Sequence, residues 1–336
     1  MTTKALSIKD IAKKANVSIT TVSFILNGKA VEKNISTAVI ERVEKIIKDD
    51  GFKPNQVARS LRTGSSKIIG LIVEDISNPF FSAIARLIED KAYKKDYKII
   101  YSSTENHPGK MKELINLFKS RQVDAYIISP ALGTEQDIQG LLDEHKPVVL
   151  FDRFLPSLDV SYVGIDHVEA SYKATEHFLK LKKKNIALVT IDLDVEQIVN
   201  RYDGYKQAIL DYNGTQNEAL VLKVPFGQEK EETIVQLKEL FKEHTEIDAV
   251  LFATNYLAIS GLTALKEIGK VVDADFSVIA YDDGDVFKLH TPQISALGQP
   301  LEEIAERIIS LILMQLSSKE VLETERVILS GELIVR

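Results

Sequence analysis

Hydrophobic residues recur along this chain with two different spacings, and the change from one to the other divides the sequence. Over the first fifty residues or so, the apolar positions lie three and four apart, which is typical of amphipathic helices. From Lys67 onward, short β-branched runs such as Ile68–Val73 alternate with longer segments of helical spacing. Alternation of strand and helix is typical of α/β domains with parallel sheets. The pattern therefore predicts a small helical head followed by an α/β body.

Three short helices are predicted in the head, each beginning after a serine. Ser7 caps the first helix, and Ser18 caps the second, which runs to about Asn27. Ser36 caps the third helix, which ends at Gly51. A tight turn separates the first two helices. This arrangement predicts a helix-turn-helix, whose second helix can enter the major groove of DNA.

Eight strands are predicted in the body, in two series of four. Each run is almost continuously apolar, as expected of parallel strands that are buried on both faces. Two such series indicate two doubly wound lobes, in which ligands bind at the carboxyl ends of the strands. The first series comprises Ile68–Val73, Lys98–Ser102, Val123–Ser129 and Val148–Phe151, and the second comprises Asn185–Thr190, Ala219–Val224, Ala249–Ala253 and Ser277–Tyr281.

Charge changes at the same boundary as the hydrophobic pattern. Of the 42 Lys and Arg and the 49 Asp and Glu in the chain, residues 1–64 hold 12 and 6, which leaves 30 and 43 for the remainder. An acidic protein with one basic end is expected to bind a polyanion through that end. A solvated basic surface is the alternative that the charge count leaves open.

Composition excludes several classes of protein. The chain has 336 residues and no cysteine, which excludes disulfides, cysteine nucleophiles and cysteine-based metal sites. Residues Met1–Asp10 lack the apolar core of a signal peptide, and no uninterrupted apolar run is long enough to span a membrane. We therefore expect a cytoplasmic protein without a membrane partner. The six histidines form no zinc motif, so we expect no metal, and we expect no cofactor.

A short segment between the head and the body has both a helix start signal and a stop signal. Pro54 suits the first turn of a helix, and Gly64 with Ser65 and Ser66 predicts a stop followed by a flexible joint. The roughly eight residues between these signals are too few for a stable isolated helix. We expect this helix to form only when a partner holds it.

An ordered series of motifs runs through these regions. The head contains SIKDIAKKANVS at residues 7–18, then Thr21-Val22-Ser23 and Asn27-Gly28. The segment NQVARSLRTG follows at residues 55–64, and the body opens with IGLIV at 69–73 and DISNPFF at 75–81. In this order, the motifs resemble the lactose/galactose repressor family of bacterial transcriptional regulators, and weaker similarity extends to the C-terminus.

The resemblance implies the architecture of the whole chain. A three-helix helix-turn-helix head and a hinge helix precede two doubly wound parallel-sheet lobes of the periplasmic binding protein kind. The implied head covers residues 1–53 and the hinge helix with its linker covers 54–66, while the first lobe comprises 67–162 plus 295–325 and the second comprises 163–294 plus 326–336.

The resemblance also implies that the second head helix and the hinge helix contact DNA. In the head, Thr20 can hydrogen-bond a base edge, and Ile19 or Phe24 can contact a thymine methyl group. In the hinge, Leu61 from each subunit of a dimer wedges into the central base step of the minor groove. The implied DNA contacts are Ser18, Ile19, Thr20, Ser23, Phe24 and Asn27 in the head and Asn55, Ala58, Arg59, Leu61 and Arg62 in the hinge.

Two features of the head depart from the commonest family pattern. Phe24 stands where many members carry an arginine or a histidine, and it cannot hydrogen-bond guanine. The loop Lys29–Ile35 is also a few residues longer than usual. The usual operator sequence of the family is therefore not assumed for this chain.

Polar residues that follow the predicted strands are the candidates for an effector site. Carboxylates and guanidiniums can bracket pairs of hydroxyl groups, and aromatic rings can cover the apolar face of a sugar. The resemblance implies that a small sugar or sugar phosphate contacts Asn78, Phe80, Phe81, Asp152, Arg153, Arg201, Asn255, Asp282 and Gln299. Tyr256 is a departure, since an aspartate commonly follows the asparagine at this position. Whether the effector is neutral or phosphorylated, and whether it releases or assists the repressor, stays open.

We predict a DNA-binding transcriptional regulator rather than an enzyme. The chain contains no Gly-x-Gly-x-x-Gly turn and no phosphate-binding loop, and Asp282-Asp283 suits a hydroxyl acceptor better than an acid–base pair. The alternative is a sugar-binding or sugar-processing protein without DNA function. Residues 1–64, with their basic charge and helix-turn-helix pattern, argue against that alternative. Two half-sites of a palindromic operator require two-fold symmetry, so we expect a homodimer formed through the effector domains.

Overall fold

A computed structural model describes residues 6–52, 64–212, 218–272, 276–318, 320 and 322–336. The chain divides into two compact units, Met1–Ser66 and Lys67–Arg336. The predicted hinge helix, Pro54 to Thr63, lies outside the described residues.

The first unit contains the three predicted helices, α1 (Ile8–Ala15), α2 (Ile19–Leu26) and α3 (Thr37–Asp49). The predicted cap at Ser7 is confirmed and forms a capping box, because the Ser7 hydroxyl accepts from the Asp10 backbone N–H and the Asp10 carboxylate accepts from the Ser7 backbone N–H. The helices share one apolar core, in which Ile11, Ala15, Val22 and Val43 are completely buried.

The turn between α1 and α2 depends on one residue with left-handed backbone geometry. Asn16 has φ 51°, a conformation that asparagine tolerates better than most residues. Ser18 caps α2 by accepting from the Thr21 backbone N–H. Ser36 precedes α3 as predicted, but its side chain makes no capping hydrogen bond with the described residues.

The second unit contains two sheets of six strands with helices on their faces. Its first half comprises β1 (Ile68–Val73), α4 (Pro79–Tyr93), β2 (Lys98–Ser103), α5 (Pro108–Ser120), β3 (Ala125–Ile128), α6 (Glu135–Asp143), β4 (Val148–Phe151), β5 (Ser161–Ile165) and α7 (His167–Lys180). Next come β6 (Ile186–Asp192), α8 (Glu196–Asp211), a 3₁₀ turn (Glu218–Leu220), β7 (Val221–Pro225), α9 (Lys230–Glu243), β8 (Ala249–Phe252), α10 (Asn255–Glu267), β9 (Ser277–Tyr281) and α11 (Asp285–Leu289). The last elements are β10 (Ser295–Gly298), α12 (Leu301–Ser317), β11 (Arg326–Leu329) and β12 (Glu332–Ile334).

The two sheets confirm the predicted α/β class. The first sheet has the order β11-β5-β4-β3-β1-β2 and is parallel throughout. The second has the order β12-β10-β9-β8-β6-β7, and only its β10/β12 pair is antiparallel. We call the first sheet with its helices the first lobe and the second sheet with its helices the second lobe. Each has the helix-covered parallel core that near-continuous apolar strands require.

The eight predicted strands are present, and the structure adds β5, β10, β11 and β12. These four are short and contain at most three consecutive apolar residues each, so hydrophobicity alone did not reveal them. Ile68–Val73, Val148–Phe151 and Ser277–Tyr281 have the predicted bounds, and the remaining bounds differ by a few residues.

Strand pairing corrects the predicted lobe boundaries. Ser295–Gly298 lies in the second sheet beside β9, although residues 295–325 were expected in the first lobe. Arg326–Leu329 lies in the first sheet parallel to β5, although 326–336 was expected in the second lobe. The first sheet also keeps β5 up to Ile165, beyond the expected boundary at 162. The chain therefore crosses between the lobes three times, after β5, after β10 and after β11.

Candidate effector cleft and DNA-binding head

Strands of both sheets end at a cleft between the two lobes of the second unit. All nine residues predicted to contact the effector line this cleft: Asn78, Phe80, Phe81, Asp152, Arg153, Arg201, Asn255, Asp282 and Gln299. Its cavity of about 50 Å³ is well below the ~300 Å³ at which ligand pockets usually begin. A sugar ring therefore needs movement of side chains or lobes in order to enter.

The first lobe contributes an acid and an arginine directly after β4. Asp152 has φ 64°, which turns the chain sharply at the end of the strand, and its carboxylate accepts from the Ser129 hydroxyl at 3.1 Å. Arg153 forms an ion pair with Glu74 and donates to Asn106 Oδ1 at 2.5 Å. Because Glu74 already balances the Arg153 charge, this side of the cleft has no surplus positive charge.

The second lobe supplies a matching acid after β9. Asp282 has the same φ of 64° as Asp152 and accepts from Asn255 Nδ2 at 3.0 Å and from Gln299 Nε2 at 2.7 Å. Asn255 is the first residue of α10, and Gln299 directly follows β10. The ends of β9 and β10 and the start of α10 thus meet at the Asp282 carboxylate.

Arg201 projects from α8 and is held from two sides. Its Nη1 donates to the Ala253 carbonyl at 2.6 Å, and its guanidinium lies 3.7 Å from the centre of the Tyr281 ring. His167 Nδ1 lies 2.8 Å from the Tyr281 hydroxyl and 3.4 Å from Arg201 Nε. Arg201 and His167 are both buried, so the guanidinium is fixed in place beside the cleft.

Burial shifts the pKa values of the ionisable groups around the cleft. Desolvation raises the pKa of Asp152 to about 6. The charge of Arg201 and the hydrogen bond from Ser129 act against this increase, and the charge of Asp282 adds to it. Desolvation likewise raises the pKa of Asp282 and lowers that of Arg153 to about 10. The pKa of His167 lies well below 6.5, because burial and then the charge of Arg201 disfavour the imidazolium.

The cleft has an apolar wall in addition to its polar end. Phe80 and Phe81 from α4 pack edge to face with their centroids 5.0 Å apart. The second lobe contributes aliphatic side chains from the end of β6 to the first turn of α8. This wall comprises Phe80, Phe81, Ile191, Leu193, Val195 and Ile198.

Several residues of the cleft were absent from the predicted set. Glu74 directly follows β1 and Thr254 follows β8, so the strand-end rule that identified Asp152 could have found both. Gln197 in α8 follows no strand and carried no such signal. Tyr256 lines the cleft where the sequence had indicated a departure from the family pattern.

In the head, the structure places the six predicted DNA contacts on or beside α2. Ile19 and Thr20 are exposed, and Ser23 and Phe24 are half-buried. The Lys33 ammonium lies 5.8 Å from the centre of the Phe24 ring. The predicted hinge contacts Asn55, Ala58, Arg59, Leu61 and Arg62 lie outside the described residues.

Two other kinds of feature are absent from the described residues. None of their helices is long and apolar enough to cross a membrane. Across the same ranges, no group of three or more His, Asp or Glu side chains is placed to hold a metal ion.

Comparison with known proteins agrees with this geometry. The family of bacterial regulatory proteins called the lacI family matches residues 7–55, and a periplasmic binding protein-like domain matches residues 175–336. The HTH-type transcriptional repressor PurR of Haemophilus influenzae (strain PittEE) is 28% identical over 336 residues, covering 98% of this chain and 97% of that protein. The ribose operon repressor of Halalkalibacterium halodurans is 27% identical over 331 residues, covering 98% and 96%.

The fold of a solved structure also matches along the full chain. The Lac repressor bound to ONPG in the repressed state superposes with a TM-score of 0.85 at 21% identity and covers 99% of each chain. The chain thus combines a DNA-binding domain that matches the lacI family of bacterial regulatory proteins with a periplasmic binding protein-like domain, and along almost its full length it is similar to transcriptional repressors with this architecture.

Proposed function

We propose that this chain is a repressor whose operator affinity is set by a small neutral sugar bound in the cleft between the lobes. The observation that carries the proposal is the set of buried hydrogen-bonding atoms left over in the cleft. Asn255 Oδ1, Gln197 Oε1 and Arg153 Nε line the cleft and have no hydrogen-bond partner among the described residues. Two of these atoms accept and one donates, so the ligand must bring donors as well as an acceptor, which hydroxyl groups do.

The orientation of the Asn255 amide is fixed by its surroundings. Its Nδ2 donates to Asn78 Oδ1 and to Asp282 Oδ2, each at 3.0 Å. Turning the amide over would place an oxygen against two other oxygens. The free Oδ1 is therefore an acceptor, and a buried acceptor without a partner costs about 1–3 kcal/mol until a ligand satisfies it.

Charge balance favours a neutral ligand over a phosphorylated one. The cleft is lined by three acids, Glu74, Asp152 and Asp282, and by two arginines, Arg153 and Arg201. Arg153 is paired with Glu74, and the charge of Arg201 lowers the pKa values of Asp152 and Asp282. A phosphate dianion would add negative charge to a cleft whose acids already outnumber its arginines, and it would bring no donor to the free acceptors. Hydroxyl groups supply donors without adding charge.

The relatives support the same class of ligand. A transcriptional regulator CelR, solved in complex with cellobiose, has a TM-score of 0.73 to this chain at 24% identity and covers 98% of it. The ribose operon repressor named above is a relative in sequence. For this chain, a neutral pentose or hexose fits the arrangement of carboxylates, amides and apolar wall.

The assembly we propose is a homodimer, joined through the effector domains, on a palindromic operator in the cytoplasm. Ligand binding changes the contact between the lobes, and the first lobes transmit that change to the paired hinge helices. A coupling of about 1–3 kcal/mol changes operator affinity roughly 5- to 150-fold. Leu61 is the proposed minor-groove wedge, and Ser18, Ile19, Thr20, Ser23, Phe24 and Asn27 are the proposed major-groove contacts.

The effector proposal is tested with a panel of neutral sugars and their phosphates. Thermal shift on the full-length protein should identify a neutral sugar, and Arg201→Ala should abolish the shift. Operator affinity with and without that sugar should differ at least fivefold, in either direction. A phosphorylated sugar as the tightest ligand, or an unchanged operator affinity, would contradict the proposal.

The hinge proposal has its own test. Leu61→Ser should weaken operator binding, because the apolar wedge is lost, while sugar binding stays intact. Unchanged operator affinity would reject the role assigned to Leu61 without affecting the cleft.

A further inference from the structure

The helix placed to enter the major groove carries no charged side chain. Helix α2 has the sequence ITTVSFIL, without an arginine, lysine, aspartate or glutamate. The commonest specific contact in the major groove is an arginine or lysine that donates to O6 and N7 of guanine. Helix α2 cannot make this contact from its own residues.

Local hydrogen bonds engage most polar side chains of this helix and its caps. The Ser18 and Thr21 hydroxyls lie 2.8 Å apart, and the Asn27 amide donates to the Ser23 carbonyl at 2.6 Å. Ile19 is 44% exposed, and Thr20 is exposed beside it. Apart from Thr20, the DNA-facing surface is therefore dominated by hydrocarbon.

A cation approaches this surface from the neighbouring loop. The Lys33 ammonium lies 5.8 Å from the centre of the Phe24 ring, within the ~6 Å range of cation–π attraction. The loop backbone fixes the position of Lys33, because its N–H donates to the Lys29 carbonyl at 3.0 Å and the Ile35 N–H donates to the Ala30 carbonyl at 2.9 Å. Ala30 is buried, which anchors the loop in the core of the head.

Lys33 retains the freedom to contact DNA. Its side chain is 45% exposed, and its ion pair with Glu32, at 3.2 Å, is between two exposed groups. Such surface pairs contribute little to stability, so a DNA phosphate can replace Glu32 as the partner.

We propose that Phe24 and Lys33 act as one base-recognition pair. The Phe24 ring contacts the methyl group of a thymine in the major groove, and Lys33, held over the outer face of the ring, contacts the phosphate beside that thymine. Each half-site of the operator therefore has thymine, not guanine, at this step. The proposal rests on the DNA-binding function above and specifies what that function recognises.

The operator is first obtained with the full-length protein. Selection from a random duplex library at low salt should recover a palindrome with thymine at the step under Phe24. That step is identified by repeating the selection with Phe24→Arg, which should convert one symmetric pair of positions from thymine to guanine. Guanine at that step for the natural chain, or no conversion, would overturn the proposal.

Replacing thymine with uracil tests the methyl contact directly, because the change removes only that group. One buried methyl group corresponds to about a fourfold loss of affinity, and two half-sites to roughly 15-fold. The loss should disappear in Phe24→Ala. Equal affinity of the natural chain for the thymine and uracil operators would overturn the pair.

Lys33→Gln tests the phosphate contact. It should weaken the thymine and uracil operators by the same factor and reduce the salt dependence by roughly 0.9 per half-site in the log–log slope. In a Phe24→Leu background, which keeps an apolar side chain without a ring, the effect of Lys33→Gln should shrink. Lys29→Gln, in the same loop, is the control, and its effect should not depend on Phe24.

Failure of the Phe24–Lys33 pair and failure of the proposed DNA-binding function give different results in these experiments. Recovery of no enriched sequence would overturn DNA recognition altogether. A recovered palindrome that is insensitive to uracil, or a Lys33 effect that is independent of the Phe24 ring, would overturn the pair alone. Thermal unfolding of each variant should match that of the natural chain, since Lys33 is exposed and the half-buried Phe24 is not part of the described apolar core of the head.

Discussion

Asn255 Nδ2 lies 3.0 Å from Asn78 Oδ1, and this hydrogen bond joins the second lobe to the first across the cleft. Asn78 Oδ1 also accepts from the Phe80 backbone N–H at 3.0 Å, which caps helix α4. One oxygen atom therefore stabilises a helix and holds the two lobes together. The bond stabilises the arrangement in which residues of both lobes line the cleft, so ligand binding and lobe contact are coupled.

The two roles of Asn78 can be separated with a pair of substitutions. Asn78→Ala removes the N-cap of α4 and should lower the free energy of unfolding by about 1 kcal/mol, whereas Asn78→Ser keeps a capping oxygen and should cost much less. The serine is too short to reach Asn255, so both variants should bind the effector sugar more weakly by a similar factor, on the order of tenfold. Urea unfolding and calorimetric titration measure the two effects.

Asn116→Ala is the control for this pair, because Asn116 is exposed on α5. It should change neither unfolding nor sugar affinity. If Asn78→Ser restored full affinity, the contact between the lobes would have no part in ligand binding.

Asp152 should make the folded state less stable at neutral pH than at acid pH. Burial raises its pKa from 3.8 to about 6, so the folded state holds a proton that the unfolded state has already lost. The stabilising effect of that proton is complete below about pH 3.8 and is lost as the pH rises through about 6. Asp152→Asn should therefore raise the free energy of unfolding at pH 7.5 by about 1–3 kcal/mol, with the gain shrinking towards pH 4.

The measurement is urea unfolding between pH 4 and pH 8. Asp203→Asn, at an exposed position of α8, is the matched control and should have little effect at either end. A gain that was larger at pH 4 than at pH 7.5 would show that burial of the Asp152 charge is not its cause.

Strand ends explain why the cleft was predictable from the sequence. Asp152 and Asp282 both directly follow buried apolar strands, and parallel strands present their carboxyl ends at one edge of a sheet. Any polar residue after such a strand is therefore a candidate. Gln197 lies inside a helix after a loop, and only the folded chain brings it to the cleft.

The crossings between the lobes were not predictable in the same way. Ser295–Gly298 and Arg326–Leu329 are strands of four residues each, and their sheet membership is decided by pairing with β9 and β5, far away in sequence. Local hydrophobicity carries no information about that choice. The two series of apolar strands indicated two lobes, and the resemblance to a family implied boundaries after residues 162, 294 and 325, a few residues before the observed crossings.

Gly204 is required by the close packing of α7 and α8. An added Cβ would lie 2.2 Å from the Val168 carbonyl oxygen and 3.0 Å from Ser171 Cβ, so the helices would have to move apart. Gly204→Ala should lower the free energy of unfolding by about 1–3 kcal/mol, as overpacking of a core does. Chemical unfolding monitored by circular dichroism measures the loss.

Gly140 in α6 is the opposite case and the control, since an added Cβ there meets no described atom within 4 Å. Gly140→Ala should stabilise the protein by up to about 1 kcal/mol, because alanine loses less backbone entropy in a helix. If both variants shifted stability in the same direction, helix packing would not explain Gly204.

His167 should make the protein sensitive to acid through its buried neutral ring. Nδ1 faces two donors, the Tyr281 hydroxyl at 2.8 Å and Arg201 Nε at 3.4 Å, so it accepts and the ring carries its proton on Nε2. The pKa of His167 is lowered well below 6.5. As the pH falls below about 6.5, the unfolded chain gains a proton that the folded chain excludes, and stability falls by about 1.4 kcal/mol per pH unit.

His167→Gln should remove this contribution while leaving an amide that can still accept. The difference in free energy of unfolding between the natural chain and the variant should favour the natural chain at pH 7 and shrink or reverse by pH 5. The matched control is His145→Gln, at an exposed loop position. Because His167 also positions Arg201, the variant should bind the effector sugar more weakly, by a factor that stays constant from pH 7 to pH 8, where the imidazole is neutral in every state. A factor that changed across that range would mean that the ring titrates in the folded protein.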